Sequence, residues 1–493
     1  MSSGILGMRS NMEKVSVWEK LKFIIVCGVG FLADGYLNSC IGLVVPMLGY
    51  VYFKDSKNAV PSDKGGIIKA GLTLGMMAGQ LIFGFLGDTL GRHAVYGNEL
   101  ILTIFGTLMC ILLPWRGLVP DGIVAWMAVW RVVTGFGVGG DYPLSSSLAA
   151  EKSSDRSRAK MVIFTFYFRG LGDTIVSALF LVLLAGFKDH IEADVNQLDW
   201  VWRILMGIGI VPCILTVYAR LVMEETKPYK KYVQRDNGEQ NIASRPQTRS
   251  MRKQYRDFWI YFSSWRHAKV LFAVCAVWFL FDIAIYGQNL NQAIILTKIG
   301  YARGSTPYEK LWNIAVGNLV VVSTSYLPSW FIGIFLPDLI GRRAQQLYGS
   351  LLVAVIYAIW TGVTNNANKD GLIALYAIAQ LAMNASINMT TFLLPAELFP
   401  TRIRATAHGV AAASGKVGAA LTAFAFGIVT DEIHIQGVLG LFTGLMVLCA
   451  LLTLLIPETK GTTLDDLEND TLYVRERDEA GDIGGTRQKQ TLQ

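Results

Sequence analysis

The chain has 493 residues, of which 52% are hydrophobic and only 16% charged, with 12 tryptophans and 49 glycines. Soluble domains carry nearer about 25% charged residues spread along the chain, so a string of soluble domains is excluded. The net charge of +7 does not indicate nucleic acid, because the bases cluster between apolar runs as a topology signal.

Residues 1–21 lack the charged, apolar and small-residue pattern of a cleavable signal peptide and read as a short cytoplasmic segment. Twelve apolar runs follow, near 22–50, 67–87, 95–114, 123–147, 160–186, 200–222, 268–297, 311–337, 345–364, 371–394, 405–430 and 436–456. Runs of this length can cross a bilayer as helices. Connections after the even-numbered runs are basic, carrying Arg92, then Lys152, Arg156, Arg158 and Lys160, then Arg342 and Arg343, then Arg402 and Arg404. The odd-numbered connections are poorer in bases, although 54–66 holds Lys54, Lys57 and Lys64. That bias predicts an integral membrane protein with both termini cytoplasmic.

The longest polar interruption, 224–267, is basic and separates six runs (22–223) from six (268–457). It predicts a cytoplasmic linker with an amphipathic part around Tyr255–Tyr261 on the membrane surface. The tail, 458–493, is polar. All six cysteines lie within apolar runs at spacings that suit neither a disulfide framework nor a metal. No cofactor is expected.

The two halves repeat. GFLGDTLGR at 84–92 follows the second run and IFLPDLIGRR at 334–343 follows the eighth, so Asp88 and Arg92 correspond to Asp338 and Arg342. Glu225-Thr226-Lys227 and Glu458-Thr459-Lys460 close the sixth and twelfth runs. Parallel six-helix repeats imply a pseudo-twofold along the membrane normal, with a cavity between the halves. A short turn of this kind needs glycine for close approach, and its acid can cap a helix or hold an arginine in a contact that breaks on rocking. The doubled pattern resembles the major facilitator superfamily, which implies an all-α membrane fold of twelve transmembrane helices in two pseudo-symmetric halves. Asp88, Arg92, Asp338 and Arg342 are then gating residues.

Within the seventh run, WFLFDIAIYGQNLNQ (278–292) places Trp278, Asp282, Tyr286 and Asn289 within an arc of roughly 80°. Such a stripe cannot face lipid and must face helices or a watered cavity. A buried carboxylate there is a functional candidate, with a structural interhelical bond as the alternative. In the fourth run, alternating glycines from Gly135 to Gly140 read as close helix packing, ahead of Asp141, Tyr142 and Pro143.

Taken together, GGDYPLS, the seventh-run stripe, NMTTFLLPAELFPTRIR from Asn388 and AHGVAAASGKVG at 407–418 resemble the phosphate:proton symporter family. That resemblance implies a phosphate site lined by Tyr142, Trp278, Asp282, Tyr286 and Asn388, with coupling carboxylates at Asp34 and Asp141. Hydroxyl, indole and amide groups donate to phosphate oxygens, and a protonated carboxyl donates as well. An ionised Asp282 would repel an anion, which couples proton uptake to anion uptake. For Asp34 and Asp141 the alternative is a structural pair with Arg131 or another buried base.

Two departures stand out. Arg169 occupies a position where phosphate symporters usually carry glutamine, and offers a planar, permanently charged fork to a phosphoryl group. It could instead balance Asp173 or Asp34. Asp34-Gly35-Tyr36-Leu37-Asn38 is more similar to the glycerophosphoinositol and glycerophosphocholine permeases. The expected function is proton-coupled import of inorganic phosphate across the plasma membrane, with a glycerophosphodiester as the alternative substrate. A sugar-type carrier and a phosphate-sensing receptor are further rivals. The expected partners are a small anion, protons and membrane lipid, with no nucleic acid. Neither a phosphate-cradling loop nor a nucleophile–base pair points to an enzyme.

Overall fold

The computed structural model describes residues 17–114, 118–155, 157–234 and 250–469. Most of the 1–21 segment, Arg156, the middle of the 224–267 linker and the tail beyond 469 therefore lie outside the described residues. Among the described residues, eleven helical segments are long and apolar enough to cross a membrane. They are α1 (Leu21–Tyr52), α2 (Ser62–Leu90), α3 (Arg92–Ile111), α4 (Pro120–Lys152), α5 (Arg158–Gly186) and α6 (Val195–Leu221) in the first half. The second half holds α7 (Trp265–Asn289), α8 (Pro307–Ile340), α9 (Arg342–Val363), α10 (Lys369–Leu398) and α11 (Arg404–Thr453).

The 50 residues of α11 bend at His434, whose φ of 58° breaks the helical path. Its two arms are the eleventh and twelfth expected spans, so the count of twelve crossings holds. The seventh span is shorter than its apolar run, which was expected to reach 297. The helix stops at Asn289, turns through Leu290 and Asn291, and resumes at Gln292–Lys298. Before α7, Met251–Ser263 forms a separate helix that exposes Tyr255 and Trp259 and buries Tyr261 and Phe262.

Glycine sets how closely the helices pack. A Cβ added at Gly75 would lie 2.1 Å from Val132 O, and one at Gly135 would lie 2.0 Å from Leu72 O. The backbones of α2 and α4 therefore touch, as the glycine pattern of the fourth run required. The halves meet in the same way, since a Cβ at Gly409 of α11 would lie 2.3 Å from Gln80 O of α2.

Candidate functional site

The stripe of α7 is wholly inside the molecule: Trp278, Asp282, Tyr286 and Asn289 are each buried. Asp282 Oδ2 accepts a hydrogen bond from Lys416 Nζ of α11 at 2.7 Å. The same ammonium stands 4.3 Å from the Tyr286 ring centroid and 5.2 Å from that of Tyr142. Facing it from the first half, Arg169 Nε lies 3.0 Å from Asp34 Oδ2, and an Arg169 Nη donates to the Tyr286 hydroxyl at 3.3 Å. Tyr142 donates to Asp34 Oδ2 at 2.6 Å and Asn38 donates to Asp34 Oδ1 at 2.7 Å. Two cations from opposite halves thus converge on one tyrosine, each tied to one carboxylate.

Local packing fixes these side chains. Gly415 lies against the stripe, where a Cβ would come 2.3 Å from Trp278 Cδ1 and 2.8 Å from Asp282 Oδ2. Trp278 also meets the His408 ring edge-on at 5.5 Å. Asn289 is a bridge between helices: it donates to the Tyr326 hydroxyl at 3.0 Å and accepts from Gln380 at 2.9 Å. Asn388 donates to Asn384 Oδ1 at 2.8 Å, and both line a residual space of about 10 Å³ with Arg169, Tyr167 and Tyr326. Tyr36 points elsewhere, donating to Leu205 O at 2.5 Å. Of the residues in the permease-like stretch around Asp34, Asn38 joins the cluster by a side-chain hydrogen bond and Gly35 packs against the Arg169 backbone.

Asp141 sits in a second buried cluster. Its partner is not Arg131 but Arg220 of α6, at 2.7 Å, and Arg220 also binds Glu99 at 2.9 Å. Ser145 donates to Asp141 Oδ1 at 2.5 Å. Arg131 instead donates its Nε–H to Ile68 O at 3.0 Å. Asp173 accepts from the Ser39 hydroxyl.

The repeated turns form two related networks. Asp88 accepts from the backbone N–H of Thr406 at 2.7 Å and of Ala405 at 3.3 Å, so an acid of the first half caps the first turn of α11 in the second. Arg92 lies 2.9 Å from Asp88 and 2.9 Å from Glu151, which also binds Arg404 at 3.2 Å. In the other repeat Arg342 lies 3.4 Å from Asp338 and 3.0 Å from Glu397. The Glu-Thr-Lys ends complete both: Thr226 donates to Glu151 at 2.5 Å and Thr459 to Glu397 at 2.7 Å. The copies differ in depth. Asp88 is fully buried, whereas Asp338 is 31% exposed and reaches Lys160 at 3.2 Å.

Lys416, Arg220, Glu99, Glu151 and Glu397 were not among the expected site residues. Lys416 lies inside the SGKVG stretch at 414–418, where a lysine within an apolar run was the available signal.

Two helical halves closed on each other by ion pairs, around a buried cluster of charge, define a polytopic membrane transporter of the major facilitator fold. The family model described as "Sugar (and other) transporter" matches residues 22–470, and the chain belongs to that family. Inorganic phosphate transporter PHO84 of Saccharomyces cerevisiae is 33% identical, over 94% of this chain and 86% of its own length. Inorganic phosphate transporter 1-2 of Oryza sativa subsp. japonica is 32% identical, over 94% and 96%. The repressible high-affinity phosphate permease of Neurospora crassa is 32% identical, over 92% and 87%. Among solved structures, the proton:xylose symporter XylE bound to 6-bromo-6-deoxy-D-glucose superposes with a TM-score of 0.71 at 19% identity, covering 91% of this chain and 98% of that one. That likeness bears on the fold alone. As a member of this family the chain is a transporter, not an enzyme.

Proposed function

We propose that the chain is a proton-coupled symporter that imports inorganic phosphate across the plasma membrane by alternating access. The observation that carries this reading is the convergence of Arg169 and Lys416 on Tyr286, from opposite halves, each held by a single carboxylate. The names of the fungal and plant relatives support the choice of anion. In this reading Tyr142, Arg169, Trp278, Tyr286, Asn289 and Asn388 bind the anion, and Asp34, Asp141 and Asp282 serve coupling.

The chemistry follows from charge balance. With Asp34 and Asp282 ionised, the two cations are already neutralised, and an incoming anion would add unpaired negative charge in a low-dielectric site. Protonating Asp282 frees Lys416 to hold the phosphate, while the neutral acid becomes a donor. Binding of either ion then favours binding of the other, which is the thermodynamic content of symport. Arg169 keeps further N–H donors beyond those given to Asp34 and Tyr286, in the fork geometry that suits two phosphate oxygens.

The halves 22–223 and 268–457 rock about this cluster, with Asp88, Arg92, Asp338 and Arg342 as latches at the cytoplasmic end. The termini (1–21 and 458–493) and the linker (224–267) lie in the cytoplasm. Inorganic phosphate is preferred to a glycerophosphodiester because Tyr36, the tyrosine of the permease-like stretch, turns away from the cluster. Calorimetric titration of the purified protein tests the substrate: phosphate should bind and glycerophosphocholine and xylose should not. Binding of xylose without phosphate would overturn the assignment.

A further inference from the structure

At the end of α2 opposite Asp88, a cavity of about 540 Å³ opens between the halves, lined by α1, α2, the segment after α7, α8 and the first arm of α11. Its charged lining residues are Lys57, Lys69, Lys298 and Lys310, with no aspartate or glutamate among the residues that line it. Lys69 is 6% exposed, and its ammonium donates to the side-chain oxygen of Asn291 at 2.8 Å. Among the described residues it has no carboxylate within ion-pairing distance. A buried ammonium held only by an amide oxygen lacks the compensation that such groups ordinarily find. Arg131, bonded to the carbonyl of Ile68 next door, adds a second buried cation that forms no ion pair among the described residues.

We propose that Lys69 and Asn291 form a second, outer binding site for an oxyanion of the phosphate class, filled before the central cluster. The amide N–H of Asn291 is given to Gly287 O at 3.0 Å, so its oxygen is what holds Lys69, and an arriving anion displaces that oxygen from the ammonium. Lys298 is paired with Asp431 at 3.1 Å, and the other three lysines, Lys57, Lys69 and Lys310, concentrate anions by focusing the field within low-dielectric walls. Asn291 lies nine residues beyond Asp282, the first seven of them in α7, so the outer site stands beyond the end of that helix, which is about 10 Å along its axis from the central acid. Lys69 and Asn291 belong to opposite halves, so an anion that parts them also loosens the contact closing this end. Its place as the first stop on an import path rests on the function proposed above; the binding itself does not.

The test uses the full chain in phosphatidylcholine vesicles, with Thr297→Cys as a reporter on the cavity rim and Arg169→Ala to disable the central site. Inorganic phosphate should slow labelling of the reporter by a cationic, membrane-impermeant thiol reagent, after subtraction of the native cysteines. Lys69→Met should raise the protecting phosphate concentration by about tenfold or more, and Lys69→Arg should keep it low. Should Lys69→Met not assemble, Asn291→Asp gives the same loss, because a carboxylate would neutralise the ammonium. Protection that survives both Lys69→Met and Asn291→Asp, or no protection in the Lys69 parent, overturns the site. Protection that requires phosphatidic acid in the vesicle and ignores free phosphate assigns the cavity to a lipid headgroup and also overturns it. Protection through Lys69 in a chain that carries no phosphate would leave this site standing while the proposed function falls.

Discussion

Lys416 and Asp282 lie 134 residues apart in sequence and form a buried ion pair at 2.7 Å that ties α11 to α7 beside Tyr286. Removing one partner leaves an uncompensated charge, at a cost of about 3–5 kcal/mol, whereas removing both leaves none. Lys416→Met and Asp282→Asn should therefore each lower the thermal midpoint of the solubilised protein. The double variant should recover most of that loss while remaining unable to bind phosphate. A double variant less stable than both singles would show that the pair is not the contact described.

Arg169 is bonded to Asp34 and Tyr286, and this geometry makes its substitutions informative. Arg169→Gln should retain weakened phosphate binding through amide donors, and Arg169→Ala should lose it by at least about tenfold, the equivalent of one charge-assisted bond. If the arginine only balances Asp34, the double variant Arg169→Gln with Asp34→Asn would transport with near-normal affinity. Titration of the singles and the double separates the two roles.

The two proposed latches should not behave alike. Asp88 caps α11 from within a fully buried network, while Asp338 is partly exposed and meets Lys160 at the surface. Asp88→Asn should slow turnover by about tenfold with little change in phosphate affinity, since it weakens a buried charge-assisted cap. Asp338→Asn should slow it by less than about threefold, in line with the small worth of exposed pairs. Equal effects in a transport assay would contradict the asymmetry.

Gly415 gives a steric test. A methyl group there would stand 2.3 Å from Trp278 Cδ1, and must displace the indole or Asp282. Gly415→Ala should raise the phosphate KM markedly, whereas Gly440→Ala, with nothing within 4 Å of its added Cβ, should leave it unchanged. Uptake assays on the two variants decide it.

The fold was legible because it rests on long-range regularities in one dimension: apolar runs of membrane length, and two copies of one turn. The stripe of α7 was legible for a similar reason, since helical periodicity alone brings Trp278, Asp282, Tyr286 and Asn289 to one side. Partner choice was not. Periodicity places Asp141 inside the bundle but does not select Arg220, 79 residues away, over Arg131, ten residues away. The repeat also suggested equivalent latches. Their difference in burial arises because Asp88 meets the start of α11, a relationship between halves that a motif within one half does not encode.

In the proposed function a phosphate anion and protons move together through the site around Tyr286. Labelled phosphate uptake into proteoliposomes of the purified chain, with and without an inward proton gradient, tests it most directly. Coupled transport predicts accumulation above equilibrium when the outside is acidic, collapse on adding a protonophore, and loss of both in Asp282→Asn. Phosphate uptake that ignores the gradient and the protonophore, or uptake of glycerophosphocholine in its place, would contradict it.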